Sequence, residues 1–310
     1  MRFAVVGSGA VGSYYGAKLV TGGNEVHFLV RNGFEEVRER GLHVSGPGED
    51  LRLRQVHCHR STAEIEICDV VLVAIKTTSN QDLPDLLPPL IGERTLLVTQ
   101  QNGLGNEEFL AKHFGAERVL GALCFICVER VAPGVIKRYD HGHIKLGEFG
   151  RKPQPRTKVL ASEFQRCGIE CSIVENLALE RWRKLVWNIP FNGLSIVAGG
   201  VDTAALLADP ELHDATVRLM REVIAAANKC GLPLESSAED EQISLTRTMG
   251  NYKPSTLLDF EAGKPLEIEA IWGEPARRAL AAGADVPRLQ QLYSTLKSMD
   301  QMRQDTCKQR

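Results

Sequence analysis

Residues 1–16 read MRFAVVGSGAVGSYYG, and the fold is decided there: the apolar run Phe3 to Val6 passes directly into Gly7-x-Gly9-x-x-Gly12. A strand, a glycine-rich turn and a helix in that order are the wiring of a dinucleotide pyrophosphate site. Gly7 allows the tight turn, Gly9 lets the main chain approach the phosphates, and Gly12 lets the following helix, Val11 to Val20, pack on the sheet. Helix N-terminal amides then face the anion. Gly7, Ser8, Gly9, Ala10, Val11 and Gly12 are therefore candidate coenzyme-binding residues; the plain alternative is a glycine-rich turn that binds nothing.

The next strand bears on which dinucleotide is taken. After the turn Gly22-Gly23-Asn24 comes Glu25 to Val30, and an NAD site carries Asp or Glu near its end to hold the ribose 2′-hydroxyl. Here Arg31-Asn32 follows. A guanidinium suits a 2′-phosphate by charge and by its forked geometry, so NADP(H) is expected. The alternative is an ordinary solvated arginine paired with Glu35 or Glu36.

At 310 residues the chain exceeds most single cores, and two domains are expected. Its 37 basic and 39 acidic residues leave a formal net charge of -2, too little positive field for a nucleic-acid partner. Nothing reads as a membrane span, which needs roughly 18 or more apolar residues in a row. The first apolar run breaks after Val6, unlike a signal peptide. The expected compartment is cytoplasmic. Cys124-x-x-Cys127 followed by His141-Gly142-His143 superficially resembles paired zinc ligands. The first pair, however, lies in an apolar run that reads as a buried strand, and no second pair completes a set, so no metal is expected. Cys58, Cys68, Cys167, Cys171, Cys230 and Cys307 show no disulfide framework.

The first half alternates strands and helices. Ile67 to Ile75 reads as a parallel strand covered on both faces, and Thr95 to Thr99 as another. Between them Gln81 to Leu90 is helical in composition, limited by Pro84, Pro88 and Pro89. Gly105 to Phe114 is a helix and Val119 to Val128 a strand. Val135 to Arg138 and His143 to Phe149 read as strands flanking a polar turn, followed by the helix Arg156 to Arg166 and the strand Ile169 to Val174. This predicts an α/β domain over residues 1–175 with a doubly wound Rossmann-type sheet. Residues 176–310 read as all-α: Leu179 to Phe191, Val201 to Leu207, Glu211 to Lys229, Ala238 to Met249, Trp272 to Ala282 and Pro287 to Gln301. Asp209 is placed to cap one helix, and Cys230-Gly231 with Pro233 to stop it. The expectation is a helical substrate and dimerisation domain, with the site between the two domains.

Four polar segments fall where a site is expected. Lys76-Thr77-Thr78 and Gln100-Gln101-Asn102-Gly103 end successive strands, at the carboxyl edge where open α/β sheets bind ligands. Lys76 could face coenzyme phosphate or ribose, or be solvated; Asn102 could orient nicotinamide or substrate, or only make an Asn-Gly turn. In the third segment, Arg181 to Gly193, Lys184, Asn188 and Asn192 stack at i, i+4 and i+8 on one helix face. An amine and two amides on a mainly buried helix require a ligand or an internal network. Pro190 in this stretch removes a backbone bond and should kink the helix. The fourth segment, Lys253 to Glu269, carries Ser255 and Glu267, whose plain reading is a helix cap and a first-turn acid.

Taken together, these motifs resemble the ketopantoate reductases, NADPH-dependent enzymes that reduce 2-dehydropantoate to pantoate on the route to coenzyme A. The resemblance rests on the opening glycines, Arg31, Lys76, the Gln-Asn-Gly at 101–103, the Lys-x3-Asn-x3-Asn helix, and Ser255 with Glu267. It implies Lys184 as general acid and Glu267 as the catalytic partner that binds the substrate hydroxyl. It further implies that Asn102, Asn188, Asn192 and Ser255 hold substrate, while Arg31, Lys76 and Asn102 contact NADPH/NADP+. One departure is Asp202, where an amide is common in that family. A carboxylate there would repel an anionic keto acid, so either Asp202 points away or the substrate is not ketopantoate. Two other functions fit less of the sequence: a dehydrogenase of another 2-oxo or 2-hydroxy acid, and a non-catalytic NADP(H) sensor, which needs the glycines but not the Lys184 face.

Overall fold

The structure is a computed structural model and describes residues 1–308, with side chains as far as Asp305; Cys307 lies outside those described side chains. The chain divides into two compact units, one made of Met1–Gln101 and Asn106–Leu177, the other of Asn102–Gly105 and the residues from Ala178 onward. The short loop at 102–105 thus leaves the first unit to join the second.

The first unit runs β1 (Arg2–Val6), α1 (Ala10–Thr21), β2 (Glu25–Leu29), α2 (Phe34–Arg40), β3 (Leu42–Gly46), β4 (Glu49–Leu53), β5 (His57–His59), β6 (Val70–Val73), α3 (Leu83–Leu86), β7 (Leu96–Thr99), α4 (Asn106–Phe114), β8 (Val119–Ala132), β9 (Val135–Glu148), α5 (Pro155–Arg166) and β10 (Cys171–Ile173). The strands form one sheet in the order β4-β3-β9-β8-β7-β6-β1-β2-β5, with β10 beside β9. From β5 to β8 every pairing is parallel, which is the Rossmann-type half. Beyond β8 the sheet turns mixed, because β9 is antiparallel to β8 and β4 antiparallel to β3.

Both faces of the parallel half are covered. Phe3, Val5, Phe28, Leu72, Val98 and Leu120 pack on one side with Tyr15 and Leu19 of α1 and Phe164 of α5. Ala4, Val6, Val71, Val73 and Leu97 pack on the other with Leu83 and Leu110. A strand buried twice over has no polar side, which is why these segments read as continuous apolar runs.

Several expectations for this unit need correcting. The run at 67–75 is strand only over Val70–Val73; Ile67 is 59% exposed, so the apolar stretch extends past the paired part. The two strands expected at 135–138 and 143–149 are one, β9, because pairing with β8 runs through the polar residues. There the register shifts and His141 takes a left-handed φ of 55°, so irregularities absorb what read as a turn. Finally, α2 and β3 to β5 lie where no element was expected. Their burial alternates or is partial, as at a sheet margin, so no long apolar run marks them.

The second unit contains, apart from the loop 102–105, α6 (Leu177–Val197, its first residue still in the first unit), α7 (Thr203–Ala208), α8 (Pro210–Lys229), α9 (Ser237–Met249), α10 (Ser255–Glu261), a π-helical turn at Glu269–Gly273, α11 (Glu274–Ala281) and α12 (Pro287–Lys308). Asp209 caps α8, its carboxylate accepting from Glu211 N and Leu212 N, and Gly231 follows with a φ of 78°. The core is built around α6, whose Trp182, Leu185, Val186, Ile189 and Phe191 pack with Met220, Val223, Trp272 and Leu289. Pro190 lies inside α6 without ending it. Nearby carbonyls take side-chain donors, Trp272 Nε1 to Ile189 O at 3.0 Å and Asn192 Nδ2 to Asn188 O at 3.0 Å. The helix expected from Trp272 starts as regular α-helix only at Glu274, since the π-turn occupies the residues before it.

Candidate active site

In the first unit the glycine turn is held by close backbone packing. Gly7 has a φ of 114°, and a Cβ there would lie 2.4 Å from Ile75 N and 2.5 Å from Ala74 C. A Cβ on Gly12 would come within 2.2 Å of Gly7 O and 3.0 Å of Val5 Cγ1. Both positions exclude any side chain. A Cβ on Gly9 would meet no protein atom within 4 Å, so no protein contact accounts for glycine there. Gly9 is the N-cap of α1 and has no side chain to cap it, and the first turn of α1 holds no acid. The amides of Ala10 and Val11 therefore open a helix whose own cap and first turn supply no anionic group. This turn fits a pyrophosphate.

Ser8 Oγ donates to Leu29 O at 2.9 Å, tying the turn to the end of β2, two residues before Arg31. Arg31 is exposed and makes no hydrogen bond or ion pair with the described residues. The expected competitor Glu35 is engaged elsewhere, by Arg38 and by Arg60. Arg60 also lies over the Phe34 ring, 4.2 Å from its centroid. Lys76, exposed, precedes a 3-10 turn just beyond β6.

In the second unit, residues far apart in sequence come together. Lys184 Nζ donates to Asn102 Oδ1 at 2.8 Å. The loop bearing Asn102 rests on the π-turn: Leu104 N donates to Ala270 O at 2.9 Å. Gly103, with a φ of 83°, has room only for hydrogen, because a Cβ would sit 2.3 Å from Ala270 O. Glu267, 7% exposed, enters that turn, and its carbonyl accepts from Ile271 N. Single π-turns inside helices recur at functional sites. This one is braced by Glu269, which accepts from Tyr293 Oη (2.7 Å), Arg277 Nη1 (2.8 Å) and Lys297 Nζ (3.1 Å). Burial works to raise the Glu269 pKa, but those three donors outweigh it and hold the carboxyl at about 2.

The Lys184, Asn188 and Asn192 face divides by task. Asn188 is 6% exposed and its side-chain amide has no hydrogen-bond partner among the described residues. Asn192 is engaged: its Oδ1 accepts from Thr256 N at 3.1 Å and its Nδ2 donates to Asn188 O. It thereby does the capping for α10 that no residue of α10's own end does, since Pro254 is the cap. Ser255 is consequently the first residue of α10 rather than its cap, and its exposed hydroxyl has no partner among the described residues. Asp202 is also accounted for. Its carboxylate caps α7, accepting from Ala205 N at 2.9 Å, so the departure from the family pattern serves a helix end.

Sequence reading missed Asn80, whose Oδ1 accepts from Gln101 Nε2 at 2.7 Å while its Nδ2 donates to Asn106 Oδ1 at 3.0 Å, fixing the segment that follows β7. It also missed the π-turn. An asparagine in a polar loop and one additional residue in a helical turn leave no periodic signal.

A parallel sheet whose first turn fits a pyrophosphate, together with a helical unit presenting a lysine and amides, defines the class of two-unit dinucleotide-dependent oxidoreductases. The match to known proteins narrows this. Residues 3–151 match the family described as ketopantoate reductase PanE/ApbA, and residues 176–300 match its C-terminal counterpart. The chain belongs to the ketopantoate reductase family. It is 39% identical over 304 residues to a 2-dehydropantoate 2-reductase of Nostoc sp., covering 96% of this chain and 95% of that one. A 2-dehydropantoate 2-reductase structure from Geobacter metallireducens superposes with a TM-score of 0.94 at 40% identity, covering 96% of this chain and all of the other. A D-mandelate dehydrogenase in a ternary structure with NADH and anilino(oxo)acetate shares the fold, with a TM-score of 0.90 at 22% identity over 98% and 99% of the two chains. The protein is an oxidoreductase, and NADP(H) is the coenzyme of its family. No helix among the described residues is long and apolar enough to cross a membrane.

Proposed function

We propose that this chain reduces 2-dehydropantoate to pantoate with NADPH, with Lys184 as the general acid. The observation that carries the reading is the Lys184 Nζ to Asn102 Oδ1 hydrogen bond on a loop seated over the turn that Glu267 enters. The relatives named 2-dehydropantoate 2-reductase support the substrate. The coenzyme, when bound, supplies the hydride to the keto carbon.

The chain's own residues do the rest. Negative charge grows on the ketone oxygen as the carbon is reduced; the Lys184 ammonium stabilises it and delivers the proton that makes the hydroxyl. Asn102 Oδ1, accepting from that ammonium, fixes where it points. Asn188 offers an uncommitted amide to the substrate's polar end, and Ser255 a hydroxyl. Asn192 contributes at one remove, by holding the start of the helix that bears Ser255. Glu267 is read as the acceptor for the substrate hydroxyl. Gly7 to Gly12 receive the pyrophosphate at the α1 N-terminus, and Arg31 and Lys76 the 2′-phosphate side.

The test is loss of NADPH absorbance in the purified protein with 2-dehydropantoate against a panel of other 2-oxo acids. Preference for another panel member would move the protein to a different 2-oxo acid. Tight NADPH binding without turnover of any of them would make it a sensor. A homodimer formed through the helical unit belongs to the same reading and is checked by light scattering on the purified chain.

A further inference from the structure

Two glutamines stand side by side at the end of β7, each 4% exposed, and their side chains have opposite fates. Gln101 is saturated: its Nε2 donates to Ile75 O (3.0 Å) and Asn80 Oδ1 (2.7 Å), and its Oε1 accepts from Thr99 Oγ1 (3.0 Å). Gln100 is the reverse, with both Nε2 and Oε1 buried and without a hydrogen-bond partner among the described residues. A buried amide left unpaired at both ends costs about 1–3 kcal/mol per group, and native structures rarely tolerate it without a reason.

Its position suggests the reason. Gln100 N donates to Val73 O at 2.8 Å, so the strand alternation continues past Thr99. That puts Gln100 on the face of Val98, the face covered by α1, rather than on the face of Leu97. It stands at the carboxyl edge of the parallel sheet, one strand removed from β1 and its glycine turn, and two residues before Asn102, the acceptor of Lys184. This is the edge where such sheets take their ligands.

Resting on the reading of the chain as a nicotinamide-dependent reductase, we propose that Gln100 binds the carboxamide of the nicotinamide ring. The chemistry selects that group. A phosphate only accepts and would leave Oε1 unpaired, whereas a primary carboxamide presents an N–H donor and a carbonyl acceptor to meet the acceptor and donors of Gln100 together. The residue then contributes to fixing the nicotinamide end, where hydride leaves, as Arg31 is read to contribute at the adenosine end.

The experiment compares the wild-type protein with Gln100→Met, which keeps the shape and removes both polar atoms. Dissociation constants are measured by calorimetry for NADP+, for its 3-acetylpyridine analogue, in which a methyl replaces the carboxamide NH2, and for 2′,5′-ADP, which lacks the nicotinamide half; melting of the ligand-free protein is followed alongside. The expected result has three parts: NADP+ weakens about tenfold in the variant, the wild-type preference for NADP+ over the analogue disappears, and 2′,5′-ADP binds as before. Melting of the ligand-free variant should be unchanged or higher, since an unpaired buried amide has gone. Unchanged NADP+ affinity, an equal loss for all three ligands, an equal loss for NADP+ and its analogue, or a lower melting temperature without ligand would each overturn the proposal. Failure of the wild-type protein to bind NADP+ would instead refute the nicotinamide reading on which it rests.

Discussion

Truncating Arg31 to alanine tests the coenzyme assignment most directly. The free protein should lose little, because Arg31 is exposed and makes no hydrogen bond or ion pair with the described residues, while Glu35 is held by Arg38 and Arg60. Surface changes of this kind stay within about 0.5 kcal/mol. The loss falls on the ligand. An exposed pair of single charges is worth up to about 1 kcal/mol, and a phosphate with its nearly double charge, met by a two-pronged guanidinium, raises that to about 1–2 kcal/mol. NADPH affinity should therefore fall about fivefold to thirtyfold, with NADH unchanged. Titrations of coenzyme fluorescence at low and high salt supply a second check, because surface charge interactions are screened over about 10 Å at 0.1 M. The NADPH preference of the wild type should shrink with salt, and that of the variant should already be small. Arg31→Lys should keep part of the effect. Equal weakening of NADPH and NADH, or of neither, refutes the reasoning.

Three further outcomes follow from the helical unit. Lys184→Ala should lower kcat by about 10²- to 10⁴-fold, the usual worth of a positioned acid, with NADPH affinity retained in titration; near-normal turnover would remove Lys184 from the chemistry. Asp202→Ala should cost about 1 kcal/mol of stability through loss of the α7 cap and leave KM for the keto acid unchanged. A markedly lower KM would mean that the carboxylate does oppose the substrate. For Glu269, the folded carboxyl near 2 lies below the usual 4.5, so its contribution is full above about pH 4.5 and is lost as pH falls toward 2. Glu269→Gln should accordingly melt below the wild type at neutral pH, with the gap closing across that acid window; a gap independent of pH would place the effect elsewhere.

How much was legible depended on whether the chemistry was local. The glycine turn could be read because its three demands, a positive φ at Gly7, the close approach of Ala74 and Ile75, and the contact of Gly12 with Gly7 O, are met within one strand, turn and helix plus a neighbouring strand that is itself an apolar run. Lys184, Asn188 and Asn192 were legible as a face because α6 is one uninterrupted helix, Pro190 included. The margin of the sheet was not: β3 to β5 are short and only partly buried, and their pairing is set by β9 and β2 rather than by their own composition. Asp202 read as a threat to an anionic substrate because a sequence does not say where a carboxylate points. Ala205 N decides that.

The sequence by itself determined the two kinds of unit, the dinucleotide turn and the lysine face, since each follows from local spacing and from the period of buried residues. Tertiary structure decided which of the polar groups were still available to a ligand. It gave Asn192 to Thr256, left Asn188 uncommitted, seated Asn102 against Lys184 over the Ala270 turn, and saturated Gln101 while stranding Gln100. Hydrogen-bond satisfaction depends on partners tens to more than a hundred residues away, and no spacing rule along the chain encodes those.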